Sequence, residues 1–259
     1  MTIVLCEDRG PARHIVLNRP EKRNALSREL VGALRDAFAE AAADRAVACV
    51  VVRGSGPMFS AGIDVAELGL LAGDPGGLHT LRSGILEAWN LLEQMPKPTV
   101  AQVHGGCLGA AMELALACDL RTMAADAVMG VPETRIGLIP DVGGCSRLPS
   151  VVGLGRAKEL VMTARLVDGS EAERIGLVNR VAPPDEVDAA TDALVAELLA
   201  CAPVAVAQAN RVLDAAAKPT LAASLALEEA AQDACARTED FAEATRAFAE
   251  KRPPAFSGR

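Results

Sequence analysis

A glycine-rich turn followed by an acid is the first stretch of this sequence that could support chemistry. Gly105, Gly106 and Gly109 lie between an apolar run at residues 100–104 and Glu113. The apolar run predicts a buried strand, and the Gly- and Pro-free segment after the turn predicts a helix. Such a turn leaves backbone N–H groups unpaired at the helix start, where the helix dipole favours an anion. We therefore expect an anion-binding turn here. The presence of Glu113 alone is weaker evidence, because a helix dipole stabilises the carboxylate form of any Glu in the first turn.

Three further segments have turn or loop composition. Residues 59–64 (F-S-A-G-I-D) follow a Val-rich run at 47–53, which is typical of a strand buried on both faces of a parallel sheet. Residues 131–144 contain three glycines and two prolines, which predicts an irregular backbone segment with a functional role. Residues 69–79 contain four glycines and one proline and are predicted to form a loop. His104 ends a buried run, so we interpret it as a core residue rather than a catalyst.

The composition argues against several classes of protein. The chain has 259 residues, a net charge of −8, one Trp and no Tyr, so we expect no nucleic-acid partner. No apolar run reaches the roughly 18 residues of a membrane span, and the N-terminus lacks the pattern of a secretory signal. The seven cysteines include no C-x-x-C, and the three His have no metal-ligand spacing. We expect a cytoplasmic protein with reduced, buried thiols, no metal and no membrane partner.

Strand and helix patterns alternate over the first 183 residues, and only helices follow. Further short strands are expected at residues 2–6, 13–18, 120–124, 127–130 and 177–181, and helices at 28–43, 80–95, 155–164 and 169–175. Ser27 is expected to cap the first helix. We place a boundary near Pro183-Pro184, between a core (1–183) and an Ala-rich helical region (184–259). That region either packs against another subunit or caps the same core.

Several motifs, in their order and spacing, resemble the crotonase family of enoyl-CoA hydratases and isomerases. They span essentially the whole chain: LNRPEKRNAL (17–26), FSAGID (59–64), VHGGCLGAAMELALACD (103–119), PETRIGLIPDVGGCSRLP (132–149), AERIGLVNRV (172–181) and FAEKRPPAFSGR (248–259). The resemblance implies an α/β fold, a spiral of ββα units followed by helices that build homotrimers, often paired into hexamers. It implies an acyl-CoA thioester substrate and no separate cofactor, because coenzyme A is part of the substrate.

The resemblance also implies catalytic roles. The family holds an enolate anion with two backbone N–H groups, which map here onto Ile63 and Ala110. The hydratase pair of carboxyls maps onto Glu133, which would give the proton to C2, and Glu113, which would hold and polarise the water. Relatives that only isomerise double bonds often lack an acid at the position of Glu113. Many relatives carry Gly-Gly where this chain has Ala110-Ala111. The two Ala methyl groups leave a substrate less room to approach the backbone here.

Further residues are implied to contact the remainder of the substrate. Those expected to frame the pantetheine and adenine parts of CoA are Arg23, Ala25, Ala61 and Asp64. Tail residues expected to reach CoA, sometimes across a subunit boundary, are Lys251 and Phe256. Candidate walls of the acyl pocket are Leu68, Leu138 and Val142, for which core packing is an equal alternative.

Asp141 leaves the reaction open, because many hydratase relatives have a small residue at this place. Dienoyl-CoA isomerases of the family carry an acid there beside the two at Glu113 and Glu133, and related hydrolases share the P-D-V-G-G sequence. Asp141 is therefore either a third acid of the site or a turn residue that accepts N–H bonds from the adjacent Gly-rich backbone.

The sequence thus predicts an enoyl-CoA hydratase that adds water across a trans-2-enoyl-CoA in fatty-acid or related acyl-CoA metabolism. The alternatives on the same scaffold are an enoyl-CoA or dienoyl-CoA double-bond isomerase and a 3-hydroxyacyl-CoA hydrolase. An alternative of a different class is a catalytically silent scaffold that binds acyl-CoA, against which the retained glutamates and turns argue.

Overall fold

The computed structural model describes residues 2–67, 75–218 and 220–257. Its strands are β1 (Val4–Arg9), β2 (Ala12–Leu17), β3 (Cys49–Gly54), β4 (Thr99–Val103), β5 (Gly106–Leu108), β6 (Leu120–Ala124), β7 (Val128–Gly130), β8 (Val167–Asp168) and β9 (Arg180–Ala182). Its longer helices are α1 (Arg28–Ala43), α2 (Pro75–Glu93), α3 (Ala110–Ala117), α4 (Gly144–Val152), α5 (Leu154–Thr163), α6 (Gly169–Arg174), α7 (Val187–Leu199), α8 (Pro203–Ala217), α9 (Leu221–Ala236) and α10 (Glu239–Ala249). Short 3-10 turns lie at Pro20–Lys22 and Pro132–Ile136.

The larger sheet joins its strands in the order β1-β2-β3-β4-β6-β9. β1 and β2 form an antiparallel hairpin, and every later neighbouring pair is parallel. β3 is buried along nearly its whole length, which confirms the prediction from its Val-rich run. Because parallel strands end at the same edge of a sheet, the segments that follow β3, β4 and β6 come together.

A smaller sheet, ordered β5-β7-β8, lies beside those strand ends. The chain passes from β4 to β5 before α3, and from β6 to β7 before the turn Pro132–Ile136 and α4. After β3, Ser60 forms a parallel bridge with Cys107 of β5. Each unit thus contributes one strand to the larger sheet and one strand or bridge to the smaller sheet before its helix begins. This arrangement is the predicted ββα repeat. The repeat stacks the turns that follow the smaller sheet.

Helix α1 has the bounds that its periodicity predicts. The Ser27 hydroxyl accepts the Leu30 N–H at 3.2 Å, which confirms the predicted cap. The buried face carries residues three or four positions apart: Leu30, Leu34, Ala37, Phe38 and Ala41. This face covers one side of the larger sheet and closes the main core with α2 and α3.

Three elements differ from their predictions. Helix α4 was not expected, because Gly143, Gly144 and an internal Pro149 mask its start and interior. Helix α2 includes Pro75 and the residues after it, so residues 75–79 of the expected loop are helical, and residues 69–74 of that loop lie outside the described residues. The last strand is Arg180–Ala182 rather than 177–181, since Leu177 and Val178 both donate N–H bonds to the Ala172 carbonyl in the turn after α6.

The helices after β9 are packed unequally on the core. Leu194 and Val195 of α7 pack against Val51 and Val100 on the outer face of the sheet, whereas α8 buries no residue. The boundary near residues 183–184 stays a prediction. Among the described residues no single helix has the length and hydropathy of a membrane span; α7 and α8 meet that measure only as a pair, bent by 103°.

Candidate active site

Two peptide turns lie side by side at the edge of the smaller sheet. The Ser60 N–H donates to the Gly106 carbonyl at 3.1 Å, and the Leu108 N–H donates to the Ser60 carbonyl at 3.2 Å. This pairing brings Ile63 and Ala110 to the wall of one cavity. Within the part of the chain that the structure describes, the backbone N–H groups of these two residues have no hydrogen-bond acceptor. Two unpaired donors on one cavity suit a developing oxyanion.

Glycine at positions 62 and 109 permits this close approach. Both residues have positive φ, 90° at Gly62 and 57° at Gly109, a region that other residues rarely adopt. A Cβ atom at Gly62 would lie 2.6 Å from the Leu108 carbonyl oxygen, and one at Gly109 would lie 2.6 Å from Oε1 of Glu133. A side chain at either position would therefore separate the two turns or displace Glu133.

The cavity has a volume of about 370 Å³. Predicted site residues that line it are Ala61, Ile63, Ala110, Glu113, Glu133, Leu138, Asp141 and Val142. Apolar side chains of α2, Leu78, Leu81 and Ile85, form another part of its wall. The structure thus places the two predicted donors, the two predicted acids and two candidate acyl-pocket residues around one space.

Glu113 lies in the first turn of α3 and is fully buried. Its Oε1 atom accepts the N–H groups of Val142 at 2.9 Å and of Gly144 at 2.7 Å. Burial, followed by the charges of Glu133 and Asp141, raises its pKa well above the ordinary value, against the bond from Gly144. The helix dipole was expected to favour the anion, but burial among other acids outweighs that effect.

Glu133 is positioned by the 3-10 turn Pro132–Ile136. Its Oε2 atom is buried without a hydrogen-bond partner among the described residues. Burial, with a contribution from Asp141, raises the pKa of Glu133 to about 7. Because Glu113 and Glu133 influence each other, the two carboxyls titrate as a pair that retains a proton near neutral pH.

Asp141 is a third carboxyl on the same cavity. Its Oδ2 atom is buried 3.4 Å from Nε of Arg82, an ion-pair contact without hydrogen-bond geometry, and the same Nε donates to the Asp141 carbonyl at 3.1 Å. Burial raises the pKa of Asp141 to about 7, against the effect of Arg82. The side chain therefore presents a carboxyl that is partly protonated near neutral pH.

The N–H groups that follow Asp141 do not bind to it as its turn interpretation requires. Those of Val142 and Gly144 bind Glu113, and that of Gly143 donates to Oε2 of Glu228 at 2.9 Å. That interpretation is wrong for these N–H groups, and the role of Asp141 as a third acid stays a prediction.

Sequence reasoning missed three residues around this site. Arg82 and Gln232 line the cavity, and Oε1 of Gln232 accepts the Ile139 N–H at 3.0 Å. Glu228 lies behind the turn that contains Gly143. Glu228 and Gln232 both belong to α9. Their only local signal in the sequence is the four-residue spacing, which places two polar side chains on one face of an Ala-rich helix.

Other predicted substrate residues lie away from the cavity. Those that do not line it are Arg23, Ala25, Asp64, Lys251 and Phe256, and Leu68 lies outside the described residues. Asp64 pairs with Arg19 at 3.1 Å, and Arg19 also donates to the Ala25 carbonyl at 2.6 Å. These contacts stabilise the loop next to the turn at Gly62, and the CoA contacts stay predictions.

His104 and the cysteines also depart from expectation. His104 follows β4, is partly exposed, and hydrogen-bonds through Nε2 to the Gly56 carbonyl at 3.0 Å, so it is not a core residue. The seven cysteines are free, but Cys6 and Cys201 are exposed rather than buried. In the described ranges no cluster of three or more His, Cys, Asp or Glu could hold a metal ion.

Comparison with known proteins shows the family and the fold of this chain. The family model for Enoyl-CoA hydratase/isomerase matches residues 11–259. The chain is 39% identical over 251 residues to enoyl-CoA hydratase domain-containing protein 2, mitochondrial, of Homo sapiens, covering 95% of this chain and 85% of that protein. It is 37% identical over 247 residues to methylglutaconyl-CoA hydratase, mitochondrial, of Homo sapiens, covering 93% and 72%. A crystal structure of an enoyl-CoA hydratase from Mycobacterium avium subsp. paratuberculosis K-10 matches with a TM-score of 0.89 at 28% identity, over 99% of each chain, and confirms the predicted fold.

Proposed function

Because the chain belongs to the enoyl-CoA hydratase/isomerase family, we propose that it hydrates a trans-2-enoyl-CoA. The observation that supports hydration is the meeting of Glu113 and Glu133 in the cavity whose wall carries the unpaired N–H groups of Ile63 and Ala110. Hydration needs one carboxyl that holds a proton and one that accepts one. Burial raises the pKa of Glu113 well above its ordinary value and that of Glu133 to about 7, so the pair holds a proton near neutral pH.

The reaction proceeds through an enolate of the thioester. The substrate carbonyl binds between the two N–H groups, each of which contributes about 3 kcal/mol once negative charge develops on the oxygen. A water held by Glu113 adds its oxygen to C3 and gives a proton to the carboxylate of the pair. Glu133 then delivers a proton to C2, so that the C2–C3 double bond is lost and the elements of one water molecule are added.

The remaining parts of the proposal follow the same family. The substrate carries its own coenzyme A, so no separate cofactor takes part. The enzyme acts in the cytoplasm, in fatty-acid or related acyl-CoA metabolism, as a homotrimer or a pair of trimers. Neither a nucleic acid nor a membrane is a partner in this proposal.

Glutamine variants of the two acids test this function. Glu133→Gln and Glu113→Gln should each lower crotonyl-CoA hydration by about 10²–10⁴-fold, because the side-chain shape is kept and the titratable proton is lost. Hydration is followed as the loss of absorbance of the conjugated thioester, and ligand binding by calorimetry. Glu87→Gln, which removes an exposed carboxylate of α2, is the matched control. Hydration at the wild-type rate in either variant would reject the role of that residue.

The same assay separates the other functions. A silent scaffold binds the thioester and leaves its absorbance unchanged, whereas a hydrolase releases a free CoA thiol. A double-bond isomerase leaves crotonyl-CoA unhydrated and moves the double bond of another enoyl-CoA. Each of these results in the wild-type protein would overturn hydration as its reaction.

A dienoyl-CoA isomerase is the second candidate, and Asp141 favours it. A buried third carboxyl with a pKa of about 7 can exchange a proton with the distal end of an extended dienoyl group. Asp141→Asn should then abolish isomerisation of a 3,5-dienoyl-CoA and leave crotonyl-CoA hydration intact. A wild-type protein that does not isomerise the dienoyl substrate would exclude this candidate.

A further inference from the structure

The turn between Ile139 and Gly144 is held from behind by helix α9. Glu228 and Gln232 lie four residues apart on that helix and accept the N–H groups of Gly143 and Ile139 at 2.9 and 3.0 Å. The second oxygen of Glu228 accepts the Ser146 hydroxyl at 2.5 Å. Both oxygens of this carboxyl therefore bind the turn and the start of α4.

Three successive N–H groups of this turn are divided between two carboxyls. Glu113 takes those of Val142 and Gly144 on one oxygen, and Glu228 takes that of Gly143 between them. The orientation of the Glu113 carboxyl thus depends on a turn whose central N–H is fixed by Glu228. Because Glu228 does not line the cavity, its influence on the substrate acts through Glu113.

Glu228 also brings negative charge to the acids of the site. Its side chain is only 4% exposed, and its charge raises the pKa of Glu113 and of Asp141, in each case after the larger effect of burial. Burial raises the pKa of Glu228 itself, against its bonds from Ser146 and Gly143. The groups that interact electrostatically with Glu228 are Glu113 on α3, Asp141 before α4, and Cys145 and Arg147 on α4. Its neighbour on α9, Glu229, pairs with Arg82 of α2.

We propose that Glu228 is a positioning residue that fixes the Glu113 carboxyl through the turn at Gly143 and sets, by its charge, the pH range in which the acid pair works. The proposal rests on the proposed function, since Glu113 is taken as one of the two reacting carboxyls. It assigns to the C-terminal helical region a role within the active site of its own chain.

Charge and geometry can be removed separately at this residue. In Glu228→Gln an amide oxygen still accepts the Gly143 N–H, and the amide NH₂ can donate to the Ser146 hydroxyl, which then accepts instead of donating. The substitution therefore keeps the shape and the Gly143 bond, and it removes the charge and the bond that the carboxylate accepts from the Ser146 N–H. The raised pKa values of neighbouring carboxyls then fall, so both limbs of the pH profile of kcat/KM should move to lower pH by roughly half a unit or more. Glu87→Gln, which removes an exposed carboxylate of α2, should leave the profile in place.

Loss of the hydrogen bonds between Glu228 and the turn should lower turnover. Glu228→Ala removes these bonds, so the turn relaxes and kcat should fall by about 10–100-fold with a smaller change in KM. Ser146→Ala removes one bond and keeps the carboxyl of Glu228, so its pH profile should move less than that of Glu228→Gln. A lower melting temperature for Glu228→Ala or Glu228→Gln with an unmoved pH profile and unchanged kcat would show a merely structural role and overturn the proposal.

A measurement without substrate keeps the proposal separate from the proposed function. Carbon-13 NMR of labelled Glu side chains, with Glu113→Gln to assign its signal, follows the titration of Glu113 in the wild type and in Glu228→Gln. We expect the Glu113 midpoint to move to lower pH in Glu228→Gln. An unmoved midpoint would overturn the role of Glu228 even in an active hydratase. Absence of hydration with a moved midpoint would reject the proposed function alone.

Discussion

Single glycine residues set how closely the groups of this active site approach each other, and the surroundings of Gly109 and Gly62 differ from those of Gly32, which lies outside the site. A methyl group at Gly109 would meet the end of the flexible Glu133 side chain, whereas one at Gly62 would meet the main-chain carbonyl of Leu108. One at Gly32, in α1, would meet no atom within 4 Å. Replacing each of these glycines by Ala in turn therefore separates an effect on catalysis from an effect on folding.

We expect Gly109→Ala to lower turnover strongly, because the methyl displaces Glu133 while the positive φ costs about 1–2 kcal/mol of folding free energy. Gly62→Ala should lower stability further, since main chain has to move. Gly32→Ala, the control, should gain about 0.5–1 kcal/mol from helix propensity with unchanged turnover. Urea denaturation and crotonyl-CoA hydration measure the two effects. A Gly109→Ala variant that hydrates at the wild-type rate would contradict the position of Glu133.

Among the elements, the long periodic ones could be predicted from the sequence. Helix α1 has an apolar face and a capping Ser27, and β3 has a Val-rich run, so local pattern and burial agree. β5 and β8 have three and two residues and are defined only by pairing across the smaller sheet. Helix α4 begins at two glycines and contains Pro149, so tertiary contacts override its weak propensity.

The candidate site could be predicted in part, for a related reason. Sequence motifs placed Glu113, Glu133 and both turns in the family pattern, and these residues line one cavity. The burial that raises the pKa of Glu113 depends on packing and is not visible in the sequence near it. Glu228 reaches Gly143 across 85 residues of sequence, so no local pattern marks that contact.

Strand β2 contains a buried histidine that links stability to pH. Both ring nitrogens of His14 lack a hydrogen-bond partner among the described residues. Burial, with the charges of Arg9 and Arg53, lowers its pKa from 6.5 to about 4. Between these pH values the unfolded chain binds a proton at His14 that the folded chain excludes.

We therefore expect the free energy of unfolding to fall as pH drops from 6.5 towards 4, with the His14 contribution fully lost below about 4. His14→Leu replaces the ring by an apolar side chain without breaking a hydrogen bond, so its stability should depend less on pH over this range. Urea denaturation at several pH values compares the two proteins, and NMR of the His14 ring gives its pKa directly. Equal slopes, or a ring that titrates at 6.5, would contradict this account.

For the molecule as a whole, the active site joins segments that are distant in sequence. Arg82 of α2 donates to the Leu225 carbonyl at 2.7 Å, and Gln232 and Glu228 bind the turn that precedes α4. The C-terminal helices therefore contribute to the site as well as to the surface of the molecule. The boundary predicted near residue 183 would divide helix α9 from the active-site turn that it binds.

Helix α8 is one part of this C-terminal region that the single chain leaves uncovered. It buries no residue, and Val204, Val212 and Leu213 are 75%, 62% and 67% exposed. Since large apolar side chains in water are unfavourable, we expect another copy of the chain to cover this helix in a homotrimer or hexamer. Light scattering should show a mass of three or six chains, and Val212→Glu with Leu213→Glu should shift it towards one. Ala39→Glu, which adds the same charge to an exposed position of α1, should leave the mass unchanged. A stable monomer of the unaltered chain would show that α8 is exposed in solution and that the assembly predicted from the family resemblance does not form.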